Sequence, residues 1–262
     1  MKRAYNVEKL SSLRKIVIAS ASVSKKKNAI HSFSEVDITK PLGLLEEYKK
    51  VYQKKLSFTG YLVACFSEII KNYPKFNSFI SGNKLVILND ITISVLIERE
   101  INNELIPEPL VIYECQNKGY SEIHKEIFEA KKTENNKFGS ISGSYFINFI
   151  PHFLLKMFVS LADKNKTMGM KYGKLGITSI GMFSKEPIWF IPHGSATILL
   201  TVGSFIDRVV KNDDSFEYRK HLCLTASFDH DIIDGAPAAG FMNDLIQEIK
   251  SGKIIEREIK KG

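Results

Sequence analysis

Residues 222–241, LCLTASFDHDIIDGAPAAGF, restrict the possible fold more than any other stretch of this chain. Leu222, Leu224, Ala226 and Phe228 alternate with Cys223, Thr225 and Ser227, which is the period of a strand with one apolar face. The strand runs into Asp229-His230-Asp231, and Asp234-Gly235 then opens a helix of small residues with Ala236 and Pro237 in its first turn. A strand that delivers a histidine into a tight turn holds the imidazole on a rigid mount, as a proton-transfer group requires. Asp234 lies four residues after His230 and can reach back into the same turn, where Gly235 is expected to supply backbone freedom. Histidines at such junctions also serve as hydrogen-bonded structural residues, so other segments have to decide between the two roles.

Along the chain, Leu13–Ala19 fits a short helix, and Ala29–Ile38 reads as a strand leading into a helix from about Pro41 to Lys54. Ser57 caps an apolar helix over Gly60–Asn72, with Leu62, Val63, Phe66, Ile69 and Ile70 on one face. A hairpin follows, with Phe79-Ile80 and Lys84–Leu88 joined through Ser81-Gly82-Asn83. Ile91–Glu98 is a strand, Arg99–Asn103 a loop, and Ser121–Lys132 a helix opened by a serine-capped turn. Arg208–Arg219 reads as a polar hairpin loop and Ala238–Lys250 as a final helix. Its Ala239, Met242, Leu245, Ile246 and Ile249 fall at core spacing. No repeat and no Gly/Ser/Pro-rich linker divides the chain, which predicts a single domain over 1–262.

Asp229-His230-x-x-x-Asp234-Gly235 after a strand resembles the signature of the acyltransferase catalytic core of the 2-oxoacid dehydrogenase complexes, a family that shares its fold with chloramphenicol acetyltransferase. Lys174-Leu175-Gly176-Ile177-Thr178-Ser179-Ile180-Gly181-Met182-Phe183 is similar to a strand and turn of that family, and Ala196–Gly203 resembles its glycine-ended strand before the last hairpin. Arg14-Lys15, Asp37-Ile38-Thr39 and Tyr73-Pro74-Lys75-Phe76-Asn77 fall in family order. The resemblance implies an α/β (α+β) fold, a two-layer sandwich of a mixed β-sheet and helices. It also implies a homotrimer in which His230 of one subunit faces Thr178 of its neighbour. His230 is then the general base, and the Thr178 hydroxyl the donor to the oxyanion, with Ser179 in its place if the register is off by one. Asp234 supports the histidine turn through an arginine such as Arg14.

Several features depart from the family pattern. Ser20 stands where a second family arginine would fall, and Arg99–Glu104 replaces an arginine-glycine turn on the substrate side. Asp231 occupies a position that is usually arginine, placing a carboxylate either beside the imidazole or in solvent. The segment from about 133 to 174 is longer than the family's connection. Within it, Tyr145–Leu161 is strongly apolar, and the residues favour a core-covering or trimer-contact helix over membrane contact, because Pro151 and Lys156 argue against a span.

Composition bounds the remaining choices. The chain has 262 residues, 44% hydrophobic and 25% charged, enough for one large globular domain. Cys65, Cys115 and Cys223 are odd in number and widely spaced, which points to buried free thiols in a reducing cytoplasm, with no metal site and no disulfide framework. A net charge of +8 comes mainly from scattered lysines, read as solvated surface, with a few expected to meet coenzyme A phosphates. No nucleic-acid motif accompanies them.

Together these readings predict a coenzyme A-dependent acyltransferase, moving an acyl group between a coenzyme A thioester and a dihydrolipoyl thiol or other small acceptor. An imidazole, ordinarily near ~6.5, and a thiol, near ~8.5, are matched closely enough for proton transfer at neutral pH. The alternative is a non-catalytic trimeric scaffold that keeps the fold and binds coenzyme A. The sequence shows no lipoyl domain and no apolar C-terminal hook, and Ser251–Gly262 is charged, so a free-standing trimer served by a separate lipoyl-domain protein is expected.

Overall fold

The computed structural model describes residues 4–101, 104–132, 150–180, 184, 186–213 and 215–261. Its centre is a six-stranded mixed sheet in the order β1-β8-β7-β6-β4-β5. The strands are β1 (Ala29–Asp37), β4 (Ile93–Ile101), β5 (Glu104–Ile112), β6 (Leu175–Ser179), β7 (Ile198–Asn212) and β8 (Ser215–Asp229). A separate hairpin joins β2 (Ser78–Ser81) to β3 (Lys84–Ile87). β6 runs parallel to both β4 and β7, whereas β1–β8, β7–β8 and β4–β5 pair antiparallel.

Residues opposite one another on paired strands share a sheet face, so the ladder sorts the side chains into two sets. Phe228, Ala226, Leu224, Ile198, Leu200, Ile177, Leu175, Ile93 and Val95 belong to one set and are all buried. Helices α2 (Thr39–Tyr52), α3 (Phe58–Ile70), α4 (Tyr120–Lys132), α7 (Gly235–Ser251) and α8 (Lys253–Ile259) contribute residues to the core on this face. Phe241 of α7 meets Phe66, Phe76 and Phe228 edge-on or tilted at 5.6–6.1 Å between ring centroids. Full burial of a side chain of this size stabilises the fold by roughly 1.5–3 kcal/mol. Two tyrosines inside this layer keep their hydroxyls satisfied: Tyr61 donates to the carbonyl of Ile249 at 2.6 Å and Tyr120 to that of Ser57 at 2.9 Å.

The opposite face carries His31, Phe33, Ser94, Gly176, Thr178, Leu199, Thr201, Thr225 and Ser227. Over it lie α1 (Ser12–Ser24), which packs against α5 (His152–Lys164), the short α6 (Lys166–Tyr172) and the segment 186–196. That segment is fastened to the sheet by Ser204, whose hydroxyl donates to the carbonyl of Glu186 at 2.6 Å and accepts from Ile188 N–H at 2.9 Å. Gly203 is required here, because a Cβ would stand 2.2 Å from the Ile188 carbonyl oxygen.

The structure bears out the mixed β-sheet packed with helices, adds α1, α5 and α6 over the second face, and corrects four local readings. Arg99–Ile101 are not loop but the end of β4, which the twofold alternation of Ile93–Ile97 simply continues. Arg208–Arg219 is likewise β-ladder, with Arg208 opposite Arg219 and pairing continued as far as Asn212 opposite Ser215. Helix α4 is opened by Glu122, which accepts from Gly119 N–H at 2.7 Å, while the Ser121 hydroxyl donates to Glu258 instead. The charged tail forms α8, which buries Ile254 and Ile255 after Gly252 turns the chain at φ +68°. Gly181–Phe183 and Tyr145–Phe149 lie outside the described residues. All three cysteines are buried free thiols, and burial raises the Cys115 thiol to about 12.

Candidate active site

β8 ends at Asp229, and His230 is the first residue beyond it. The backbone N–H of His230 donates to the carbonyl of Asn28 at 2.6 Å, which ties the turn to the residue preceding β1. Its ring is 42% exposed, and Nδ1 stands 3.5 Å from a carboxylate oxygen of Asp234. This contact is longer than a close hydrogen bond, yet it favours the tautomer with the proton on Nδ1 and the lone pair on Nε2. Asp234 is also the N-cap of α7, although its side chain caps no backbone N–H. Gly235 is already helical, without positive φ, and a Cβ there would meet nothing within 4 Å; the backbone freedom expected of it is not used.

What holds the turn is a residue that sequence reasoning passed over. Lys27 Nζ lies 2.8 Å from Asp229 Oδ2 and donates to the Ser195 carbonyl at 2.9 Å. Asp229 is 7% exposed; its Oδ1 accepts from Asp231 N–H at 3.2 Å, and its carbonyl accepts the N–H groups of Ile232 and Ile233. Asp231, whose surroundings the sequence left open, accepts from the Asn28 side-chain amide at 2.9 Å. Lys27→Met would strand a buried carboxylate without its cation, a change expected to cost about 3 kcal/mol. Urea denaturation checks this, and an unchanged midpoint would show that the pair holds nothing in place.

Beside the turn lies a cavity of about 160 Å³, lined by Lys25, Lys27, His31, His193, Ser227 and Asp229 among others. His31 Nδ1 is 2.8 Å from Ser227 Oγ, and burial, reinforced by nearby His193, holds His31 below the usual imidazole range. A second cavity of about 260 Å³ lies between α1, α5 and α6 and shares Ser24, His193 and Gly194 with the first. His193 therefore lines both. Lys174, in contrast to the exposed Lys164, Lys166 and Lys171, is 5% exposed, with Nζ 2.7 Å from Asp163.

Thr178 sits on β6, 6% exposed, in a row with Leu96, Thr201, Thr225 and Phe33. Three threonines in one row show that β-propensity alone would account for the residue type. The hydroxyls of Thr201 and Thr225 find no hydrogen-bond partner among the described residues. The register separates Thr178 from His230 within one chain. Five residues of β8, roughly 17 Å, and two strand spacings, about 10 Å, intervene between the Thr178 row and the histidine. The structure thus brings together His230, Asp234, Asp229 and Lys27, and does not bring Thr178 to them.

A mixed sheet backed by helices, with a histidine on the tip of an interior strand, defines the class: this is the fold of dihydrolipoamide acyltransferase cores. The chain superposes on the Azotobacter vinelandii dihydrolipoamide acetyltransferase with a TM-score of 0.71 at 20% identity, covering 97% of this chain and 95% of that one. That enzyme's mechanism has been examined through a serine, and through a histidine and an asparagine four residues further on. A truncated catalytic core of the 2-oxoacid dehydrogenase multienzyme complex from Thermoplasma acidophilum gives a TM-score of 0.68 at 21% identity, over 95% and 99% of the two chains. The chain belongs to the 2-oxoacid dehydrogenases acyltransferase (catalytic domain) family, whose model matches residues 2–144 and 158–254. In sequence it is 27% identical over 236 residues to the dihydrolipoyllysine-residue succinyltransferase component of the 2-oxoglutarate dehydrogenase complex of Staphylococcus saprophyticus, covering 87% of this chain and 48% of the relative. The chain thus spans about half the length of the curated relatives it matches.

Proposed function

We propose that this protein is a coenzyme A-dependent acyltransferase that exchanges an acyl group between a coenzyme A thioester and the thiol of a dihydrolipoyl group or another small acceptor. The observation that carries this reading is His230, mounted at the end of β8 with Nδ1 facing Asp234 and its ring accessible, in a chain of this family. Lys25 at the adjacent cavity and the neighbouring Lys26 are exposed and supply positive charge suited to an anionic acyl carrier.

In the proposed step the acceptor sulfur attacks the thioester carbonyl carbon while Nε2 of His230 takes the thiol proton. A new C–S bond forms as the carbonyl becomes an oxyanion, which the hydroxyl of Thr178 stabilises. Collapse breaks the original C–S bond, and the departing thiolate recovers the proton from the imidazolium. No covalent enzyme intermediate is required. Thr178 and His230 are far apart within one chain, so in this reading a second copy supplies Thr178, in keeping with a homotrimer whose sites lie between subunits. Three buried free thiols fit a reducing compartment such as the cytoplasm.

The purified protein is expected to exchange labelled acyl groups between coenzyme A thioesters and dihydrolipoamide with saturable kinetics. Absence of turnover across acetyl, succinyl and branched-chain thioesters would remove the proposal.

A further inference from the structure

We propose that the outer face of α5 is a docking surface for an anionic lipid membrane. The helix touches the rest of the molecule along Leu155, which is buried, and along Val159 and Ala162, which line the cavity against α1. Its other side is turned outward. Phe153, Leu154, Met157, Phe158 and Leu161 are 38–67% exposed. At 100° per residue these five positions sweep a continuous stripe roughly 140° wide. The core-covering role expected from sequence is thus met only by the narrow inner edge, and the largest side chains of the helix are left outside.

The charge around the stripe selects the occupant. Lys156 flanks it, exposed Lys164 closes its C-terminal end, and exposed Lys166 and Lys171 follow on α6. The only acidic residue between positions 150 and 172 is Asp163, and that carboxylate is committed to buried Lys174. Helix α1, packed against α5, contains no acidic residue. An apolar stripe within a cationic border matches the interface of an anionic bilayer, where apolar side chains enter the acyl boundary and lysines meet headgroup phosphates. A second copy seated on this face would have to supply carboxylates from another part of its surface to neutralise these lysines. Phe153, Leu154 and Met157 lie within residues 145–157, which the family model leaves unmatched, whereas Phe158 and Leu161 fall inside its matched range. Among the described residues no helix is long and apolar enough to cross a membrane, so the contact is peripheral.

Co-sedimentation of the full chain with phosphatidylcholine vesicles, alone or with about 30 mol% phosphatidylglycerol, tests the proposal. Partitioning onto the anionic vesicles is expected to exceed that onto neutral ones by roughly ten-fold or more at low salt. The double variant Phe153→Glu/Phe158→Glu is expected to lose roughly ten-fold or more of that binding. The triple variant Lys164→Glu/Lys166→Glu/Lys171→Glu should lose the preference for anionic lipid, and both should keep the native unfolding midpoint and acyl exchange. Equal binding by native protein and variants, or no binding by the native protein, overturns the proposal. A fall in particle mass of the Phe153→Glu/Phe158→Glu variant by light scattering also overturns it, by showing that the stripe is a contact between subunits.

Discussion

His230→Ala is expected to lower kcat for acyl exchange by roughly 10²- to 10⁴-fold, the span commonly lost with a positioned general base. The structure makes this a clean experiment. The ring is 42% exposed and belongs to no apolar cluster, so its removal leaves no cavity in the core. The turn itself depends on the His230 N–H bond to Asn28 and on the Lys27–Asp229 pair, neither of which involves the imidazole. Unfolding should therefore be unchanged while turnover collapses. Coenzyme A binding, followed by calorimetry, should persist, since the variant loses a proton acceptor and not an anion contact. If acyl exchange survives at near-native rate, the imidazole is a structural residue and the proposed chemistry is wrong.

The second large effect comes from mixing two inactive proteins. Thr178→Val removes one oxyanion donor and is expected to cost roughly 10²- to 10³-fold in kcat. The swap keeps the shape of a strand residue that is 6% exposed, so the sheet should tolerate it. If each site takes its histidine from one subunit and its threonine from the next, random mixed trimers of the His230→Ala and Thr178→Val proteins contain intact sites. About a quarter of the native site number should return after subunit exchange through mild denaturation and refolding. Failure to recover activity in demonstrably mixed oligomers would place both groups in the same chain's site, or Thr178 in none. The register argues against the former, because two strand spacings and five residues along β8 separate them.

The parts of this molecule that sequence discloses are those whose cause is local. His230 and Asp234 are four residues apart in one turn, and the period-two alternation of 222–228 fixes β8 without reference to the rest of the chain. Lys27 carries no such signal. It ends the run Lys25-Lys26-Lys27, any member of which reads as solvated surface, and differs from its neighbours only because antiparallel pairing of β1 with β8 brings it to Asp229, 202 positions away. His31 was hidden in the same way, as one polar position of a strand until Ser227 arrived opposite it. The ladder between Arg208 and Arg219 was misread because β1 ends opposite His221. A two-stranded ribbon with solvent on both faces keeps no apolar side, and its composition imitates a loop. Helix α8 escaped notice because it is only seven residues long and buries two of them among charges.

Two ammonium groups, Lys27 on Asp229 and Lys174 on Asp163, fasten the outer layer to the sheet, with the lysines 19% and 6% exposed. Mobile ions screen pairs sunk in protein far less than charges standing in solvent. Raising ionic strength should therefore strip the exterior lysines of their long-range pull while these seams stay shut. For this molecule salt becomes a selective instrument: whatever it releases was held from outside, and what remains after washing is the architecture.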